Sequence, residues 1–209
     1  MKIKLVLSAA ALMAAASLPN SAFAAADAIA LTDLNLRAGP GPNYDVVGVI
    51  EANAPARVKG CIEGSLWCQV SVQGATGWAY SKYLAMERDN KRLIISESAK
   101  ELDVPTVGFE APAGTVAGTV AGALVAGPVG AVVGAAVGTA ASPPAKVRTY
   151  VSEHRVDPVY LEGETVVGAK VPETVELYDV PEYEYRYTYV NRVPVLVDPR
   201  NREIVYVYR

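Results

Sequence analysis

The sequence predicts a mainly β protein made of two small modules. Three observations support this. Short apolar runs recur between Gly, Pro and Asn residues over 27–86, alternating Val and Tyr patterns fill 146–209, and a charge-free Gly/Ala-rich stretch lies between them. Short strands separated by turn residues are typical of small barrels and sandwiches. The expected architecture is therefore a small barrel, a connector and a second β-rich domain.

The N-terminal residues 1–24 are expected to be a signal peptide. Two lysines precede an uncharged apolar run over residues 5–18, and Ala22-Phe23-Ala24 then supplies small residues where a signal peptidase cleaves. The run is shorter than the roughly 20 residues that a membrane span needs. Cleavage after Ala24 would deliver the protein to the periplasm or cell envelope.

Composition excludes several kinds of function. The formal net charge is −3 and no basic cluster occurs, so nucleic acid is not an expected partner. The single histidine, His154, rules out a His-rich metal site. No phosphate-binding loop, metal-ligand cluster or nucleophile–base pair is recognisable in the sequence. We therefore expect a non-enzymatic protein with no catalytic residues, no metal and no cofactor.

The first module, residues 27–86, is predicted to be a series of short strands. Turns rich in Gly and Pro separate its apolar runs at the spacing of an all-β barrel. The charged residues that follow, 87–112, show no strong period and are expected to be a linker. The predicted strands cover residues 29–31, 34–37, 46–50, 56–61, 67–72 and 77–80.

Several motifs in this module occur in the order seen in a known family. They are Leu34–Pro40, Val46–Ile50, Trp67, Gly77–Tyr80 and Tyr83-Leu84. Together they resemble the bacterial SH3-like (SH3b) family. The resemblance implies a small β-barrel of the kind found in envelope proteins and cell-wall hydrolases, where some members bind peptidoglycan or its peptide bridges.

Aromatic residues near the barrel loops are the candidate ligand contacts. Tyr44, Tyr80 and Tyr83 flank loops, and Trp67 or Trp78 would form the floor of a groove, because aromatic rings combine apolar contact with a polar tip. Burial of the two tryptophans in the barrel core is the alternative. The module is nearly neutral, so binding should depend on shape and hydrogen bonds more than on charge.

The two cysteines, Cys61 and Cys68, flank the Glu63-Gly64-Ser65 turn of a predicted hairpin. In an exported protein, such a close pair indicates a disulfide. Closing a loop of this size stabilises a small domain by roughly 2.5 kcal/mol. A catalytic cysteine acting with His154 is the alternative, and the nearby partner thiol argues against it.

Residues 113–141 contain no charge and resemble the glycine-zipper segments of envelope proteins. On helices, the glycines would form small-residue ridges that allow close packing, so this segment could mediate membrane association or self-association. A flexible Ala/Gly connector is the alternative. The two sets of glycines four residues apart are Gly114, Gly118 and Gly122, then Gly130, Gly134 and Gly138.

The last module, residues 146–209, is expected to be β-rich. We expect a strand over Val147–Val151 and a three-stranded meander over 183–190, 193–197 and 204–208. The module resembles a C-terminal domain of unknown function that accompanies SH3-like domains in exported bacterial proteins. That resemblance implies no activity.

These observations predict an exported cell-envelope protein whose SH3-like domain binds cell-wall peptide, peptidoglycan or an envelope protein partner. The alternative is a structural or stress-related envelope protein. It would assemble, or associate with the membrane, through residues 113–141, and its barrel would bind no ligand.

Overall fold

The computed structural model describes residues 26–110, the backbone of 124–128, and residues 142–209. The expected signal peptide, residues 1–24, lies outside the described residues, and so does most of the Gly/Ala-rich segment 113–141. Export, membrane association and self-association therefore stay predictions.

The mainly β fold class is confirmed, and each of the six strands predicted in the first module has its counterpart. A 3-10 turn at Ser81–Tyr83 joins the sixth strand to the seventh. The strands of this sheet are β1 (Ala26–Ala30), β2 (Leu34–Arg37), β3 (Val46–Ile50), β4 (Pro55–Cys61), β5 (Trp67–Val72), β6 (Ala75–Tyr80), β7 (Leu84–Arg88) and β8 (Lys91–Ile94).

These strands form one antiparallel sheet in the order β3-β2-β6-β5-β4-β1-β7-β8. Alternate residues point into its core, and β4 shows this as a strict exposed–buried alternation over its first six residues. Leu34, Ile50, Val58 and Val70 are fully buried there. Cys61 lies directly opposite Cys68 on β4 and β5, and the predicted disulfide is confirmed.

The expected linker, residues 87–112, is described up to residue 110 and is structured there. It contains the hairpin strand β8 and a short helix, α1 (Ile95–Ser98), and it buries Ile95 and Leu102 against the barrel. The apolar positions of this segment are few and irregularly spaced, so no hydrophobic period marks its strand and helix. Residues 104–110 then run back along the barrel, and we call them the strap.

Two elements differ from expectation. Val147–Val151 lies in a helix, α2 (Ala145–Glu153), because Val147 and Val151 are four residues apart and share its buried face. Leu124, in the Gly/Ala-rich segment for which we considered helices or a flexible connector, begins strand β9 (Leu124–Pro128). That strand pairs in parallel with β10 (Tyr160–Glu162), so its backbone hydrogen bonds are met by a neighbouring strand.

The C-terminal sheet confirms the predicted meander and adds one short edge strand. Its order is β11-β12-β13-β14, all antiparallel. None of the helices in the described ranges has the length and apolar character needed to cross a bilayer. The strands are β11 (Tyr178–Asp179), β12 (Arg186–Val190), β13 (Val193–Val197) and β14 (Ile204–Val207).

The two modules share one hydrophobic core. Val195 and Val197 of β13 pack into the same contiguous cluster as the barrel residues, while Leu196 between them faces α2 in a second cluster. This is the alternation that a strand imposes on successive side chains. The C-terminal sheet is therefore packed between the barrel on one face and helix α2 on the other.

Candidate functional site

Four of the five predicted ligand residues are buried in the hydrophobic core, which is the alternative that the sequence left open for the two tryptophans. Trp67 is paired with Tyr80 across β5 and β6, and Trp78 is two residues before Tyr80, so the three side chains share a face. Their exposed fractions are 6% for Trp67, 3% for Trp78 and 8% for Tyr80, and Tyr83 is 6% exposed. Ligand contact at these four rings stays a prediction, and it would require the covering segments to move.

Tyr80 is covered by the chain around Gly163. A Cβ at Gly163 would lie 3.5 Å from the Tyr80 ring, and its φ of +97° favours glycine. Burial, helped by Tyr80 and the Glu164 carboxylate, raises the pKa of Tyr83 to about 12. Burial, with Glu162 and Glu164, also raises the pKa of Tyr80. Both hydroxyls are thus neutral at physiological pH.

Beside these rings, Glu164 is inserted between side chains of β2. Its carboxylate accepts hydrogen bonds from Arg37 Nε at 2.6 Å and Nη2 at 2.7 Å, and from Asn35 Nδ2 at 2.9 Å. The backbone N–H of Thr165 donates a fourth at 2.7 Å. The Arg37 and Glu164 side chains are both fully buried. Oε1 accepts three of these bonds and Oε2 accepts the one from Arg37 Nε, so both carboxylate oxygens are hydrogen-bonded inside the interface.

Arg37 also fixes the position of Tyr44. Its Nη1 donates to the backbone oxygens of Pro42 at 3.1 Å and Tyr44 at 2.8 Å, which holds the loop between β2 and β3. The Tyr44 ring lies back over this loop, and a Cβ at Gly39 would collide with it. One arginine therefore links the C-terminal module to the loop that carries a predicted ligand residue.

Among the predicted ligand residues, Tyr44 lines an open cleft. A cleft of about 400 Å³ separates the barrel from the C-terminal sheet at this point, and both modules contribute to its walls. Its lining consists of Asn35, Arg37, Tyr44, Asp45 and Val46 from the barrel, and Asn191, Arg192, Val193, Pro194, Tyr208 and Arg209 from the C-terminal module.

The accessible charges of the cleft come from both sides. Arg192 Nη1 lies 2.7 Å from Asp45 Oδ1, and both side chains are more than half exposed. Arg209 donates from Nε to Asn35 Oδ1 at 3.1 Å and from Nη2 to Asp33 O at 2.8 Å. Burial lowers the pKa of Arg209, although Asp33 and Glu164 oppose the effect. The cleft thus presents guanidinium groups and a carboxylate beside an aromatic ring.

On its other side, Tyr44 contacts the strap. Phe109 lies edge-on to Tyr44 with ring centroids 5.6 Å apart and edge-on to Trp78 at 5.3 Å. Such edge-to-face pairs are stabilising beyond their buried area. Phe109 is therefore the side chain that covers Trp78 and supports Tyr44.

Sequence reasoning missed Arg37, Glu164, Phe109 and Arg192. Arg37 stands inside a motif used for the family resemblance, but its partner is 127 residues away and no local pattern connects them. Phe109 is an isolated aromatic residue in a charged segment. Among the described residues, no group of three or more His, Cys, Asp or Glu side chains is placed to hold a metal ion.

Comparison with known proteins agrees with both family resemblances. Residues 32–85 match the bacterial SH3 domain, and residues 150–209 match a domain of unknown function, DUF1236. "Putative N-acetylmuramoyl-L-alanine amidase YrvJ" of Bacillus subtilis (strain 168) is 30% identical over 76 residues, which are 36% of this chain. The match spans only 14% of that relative's length, and in this chain it covers only the SH3 region. No solved structure matches.

Proposed function

We propose that this chain, which carries a bacterial SH3 domain and a C-terminal DUF1236 domain, is a non-enzymatic cell-envelope protein that binds the peptide part of peptidoglycan. The SH3 match and the distant relative named as an amidase of N-acetylmuramoyl-L-alanine, a unit of the cell wall, support cell-wall association. The amidase activity itself is not carried over, because most of that relative lies outside the match.

The cleft at Tyr44 is the observation that carries this proposal. Cell-wall peptides bear free carboxylates and amines on a short backbone. Arg192 and Asp45 are paired with each other at 2.7 Å, and a ligand that carries both a carboxylate and an amine would exchange this pair for one contact to each side chain. The Tyr44 ring offers apolar contact beside them. Its lining residues come from both modules, so the second module completes the site.

The proposal of a binding role without catalysis rests on the side chains around the cleft. Asp45 carries the single side-chain carboxylate among the lining residues, and the lining contains no histidine or cysteine. Hydrolysis of a glycan needs a pair of carboxyl groups, and nucleophilic cleavage of a peptide needs a nucleophile with a base. The cleft is thus equipped to hold a ligand in place.

Binding by one such site should be weak. A single small cleft buries little ligand surface, and tight attachment would need several copies acting together. The charges at its mouth are balanced between Arg192 and Asp45, so added salt should weaken binding only modestly.

Co-sedimentation with purified, insoluble peptidoglycan tests the proposed function. The chain purified from the bacterial envelope should pellet with peptidoglycan and stay in the supernatant without it. Pelleting should saturate as protein concentration rises. A chain that stays in the supernatant at every concentration rules out this function and leaves the structural role as the better account.

A further inference from the structure

The strap, residues 104–110, has the features of a bound peptide. It runs as an extended segment in which Pro105, Val107 and Phe109 are half-buried, while Thr106, Gly108 and Glu110 are exposed. That period of two is the pattern of a strand with one face on a surface. Val104, Val107 and Phe109 all pack against the hydrophobic core of the barrel.

Backbone hydrogen bonds hold the strap to the end of β4. The Cys61 N–H donates to Pro105 O at 2.8 Å, and the Val107 N–H donates to Cys61 O at 3.0 Å, which makes a parallel bridge between Cys61 and Thr106. Among the described residues, the pairing of β1 with β4 ends at Ala26 and Val58, and the strap pairs with β4 on that side at Cys61. Addition of an extended segment to a free strand edge is a common mode of peptide recognition.

Gly60 makes room for this approach. A Cβ on Gly60 would lie 2.5 Å from Val107 Cγ1 and 2.7 Å from Pro105 O. Any larger residue would push the strap away from β4. The barrel surface is therefore shaped to receive a backbone at this point.

Phe109 is the anchor at the far end of the strap. It inserts between Tyr44 and Trp78, which sequence analysis had singled out as ligand contacts. The barrel thus provides a groove that runs from β4 at Gly60 and Cys61 to the Tyr44 and Trp78 rings. The strap, a segment of the same chain, occupies this groove.

We propose that this groove is a peptide-binding site for extended segments with apolar residues at alternate positions and an aromatic anchor, and that the strap is its self-ligand. The strap competes with any external peptide of this class. The strap also supports Tyr44, which lines the cleft. Docking of the strap therefore regulates both the groove and the cleft. The groove itself does not depend on the proposed cell-wall binding.

The strap is held by contacts that can be released locally. Two backbone hydrogen bonds to β4 and half-buried side chains hold the strap on the barrel. Releasing the strap therefore exposes far less apolar surface than global unfolding, which exposes the whole core. An external peptide binds only to the fraction of molecules in which the strap is undocked, so its apparent affinity falls by that fraction. A cis segment on a short tether acts at an effective concentration in the millimolar range.

Fluorescence anisotropy with a labelled synthetic peptide of residues 103–110 tests the proposal. The full chain, its Phe109→Ala variant and the control Tyr183→Ala are titrated; Tyr183 is a half-buried aromatic residue in the separate cluster on α2. Phe109→Ala should bind the peptide at least about tenfold more tightly than the other two, because its own strap has lost the anchor. A peptide with alanine in place of the phenylalanine should not bind.

The proposal is overturned if the peptide binds all three proteins equally or if it binds none of them. Phe109→Leu keeps an apolar anchor, should give an intermediate affinity, and supplies the test if the alanine variant fails to fold. Peptidoglycan co-sedimentation of the same proteins separates the two proposals. If Phe109→Ala binds the peptide but the wild-type chain does not pellet, cell-wall binding alone is defeated; if the wild-type chain pellets but Phe109→Ala does not bind the peptide, the groove alone is defeated.

Discussion

Arg37 of the barrel and Glu164 of the C-terminal module form an ion pair with an Nε–Oε2 distance of 2.6 Å and no exposure of either side chain. Removing two charges from water is costly, and the attraction between them repays this only when further hydrogen bonds complete the site. Asn35, Thr165 and the Tyr44 loop supply those bonds. The pair therefore fixes how the two modules dock.

Replacement of Glu164 by glutamine should destabilise the whole protein. The variant leaves the Arg37 charge buried without a counter-charge, which costs on the order of 3–5 kcal/mol. Urea denaturation followed by tryptophan fluorescence measures the change in the free energy of unfolding. Both modules should unfold in one transition, since they share a core.

Asp27→Asn is the matched control for this effect. It removes the carboxylate from the exposed pair Arg57–Asp27, whose side chains are 64% and 79% exposed. The change in unfolding free energy should stay within about 0.5 kcal/mol. If Glu164→Gln were as mild as this control, the buried pair would not be what holds the modules together.

The Cys61–Cys68 disulfide should be a structural bond. Replacing both cysteines by serine should reduce the unfolding free energy by roughly 2.5 kcal/mol, the chain-entropy value for a loop of this length. The barrel should keep its fold, because its core and strand pairing remain. Thermal denaturation monitored by circular dichroism gives the change, and peptide mapping without reductant of the wild-type chain should show the two residues linked. Free thiols in protein recovered from the envelope would argue against the bond.

Alkaline pH should weaken the fold through Tyr83. Its pKa is raised by burial to about 12 from an ordinary 10.0, so the folded state favours the neutral hydroxyl. This stabilisation is complete below pH 10 and is lost as pH rises from 10 towards 12, because the unfolded chain ionises first. Wild-type protein should lose about 1 kcal/mol between pH 9 and pH 11 from this residue.

Tyr83→Phe keeps the ring and removes the titrating group. The variant should therefore lose less stability than the wild type over the same pH range in urea denaturation. Some loss should remain, because burial also raises the pKa of Tyr208 to about 12. Identical pH profiles for the two proteins would show that Tyr83 does not ionise differently on folding.

The exported chain should begin at Ala25. Ala22 and Ala24 occupy the small-residue positions that a signal peptidase requires, and the disulfide fits an oxidising compartment. Intact-mass measurement of protein from the native envelope should give the mass of residues 25–209. A mass that retains the first 24 residues would refute cleavage at this site.

Local features of the fold could be predicted from the sequence. The six barrel strands follow from apolar runs between turn residues, and the disulfide follows from two cysteines that flank one turn. The terminal meander follows from alternating Val and Tyr positions. Each of these depends on residues close together in the chain.

Features that depend on distant contacts could not be predicted. Val147 and Val151 fit a strand or a helix by composition, and packing against Leu196 on the C-terminal sheet decides for the helix. The covering of Trp78 by Phe109 and the pairing of Arg37 with Glu164 join segments that share no pattern. For this reason the sequence pointed to Tyr44 as a candidate site residue but not to the C-terminal residues that line the same cleft.

Peptidoglycan binding by Arg192→Gln tests the central claim most directly. Arg192 lines the cleft from the C-terminal module, and its side chain is half exposed, so its replacement should leave the fold intact. Arg155→Gln is the control, since Arg155 is exposed and lies outside the cleft lining. In co-sedimentation, the account predicts saturable binding by the wild type and the control, and about tenfold weaker binding by Arg192→Gln, or 1.4 kcal/mol. Equal binding by all three proteins would contradict the cleft as the site, and no binding by the wild type would contradict the function itself.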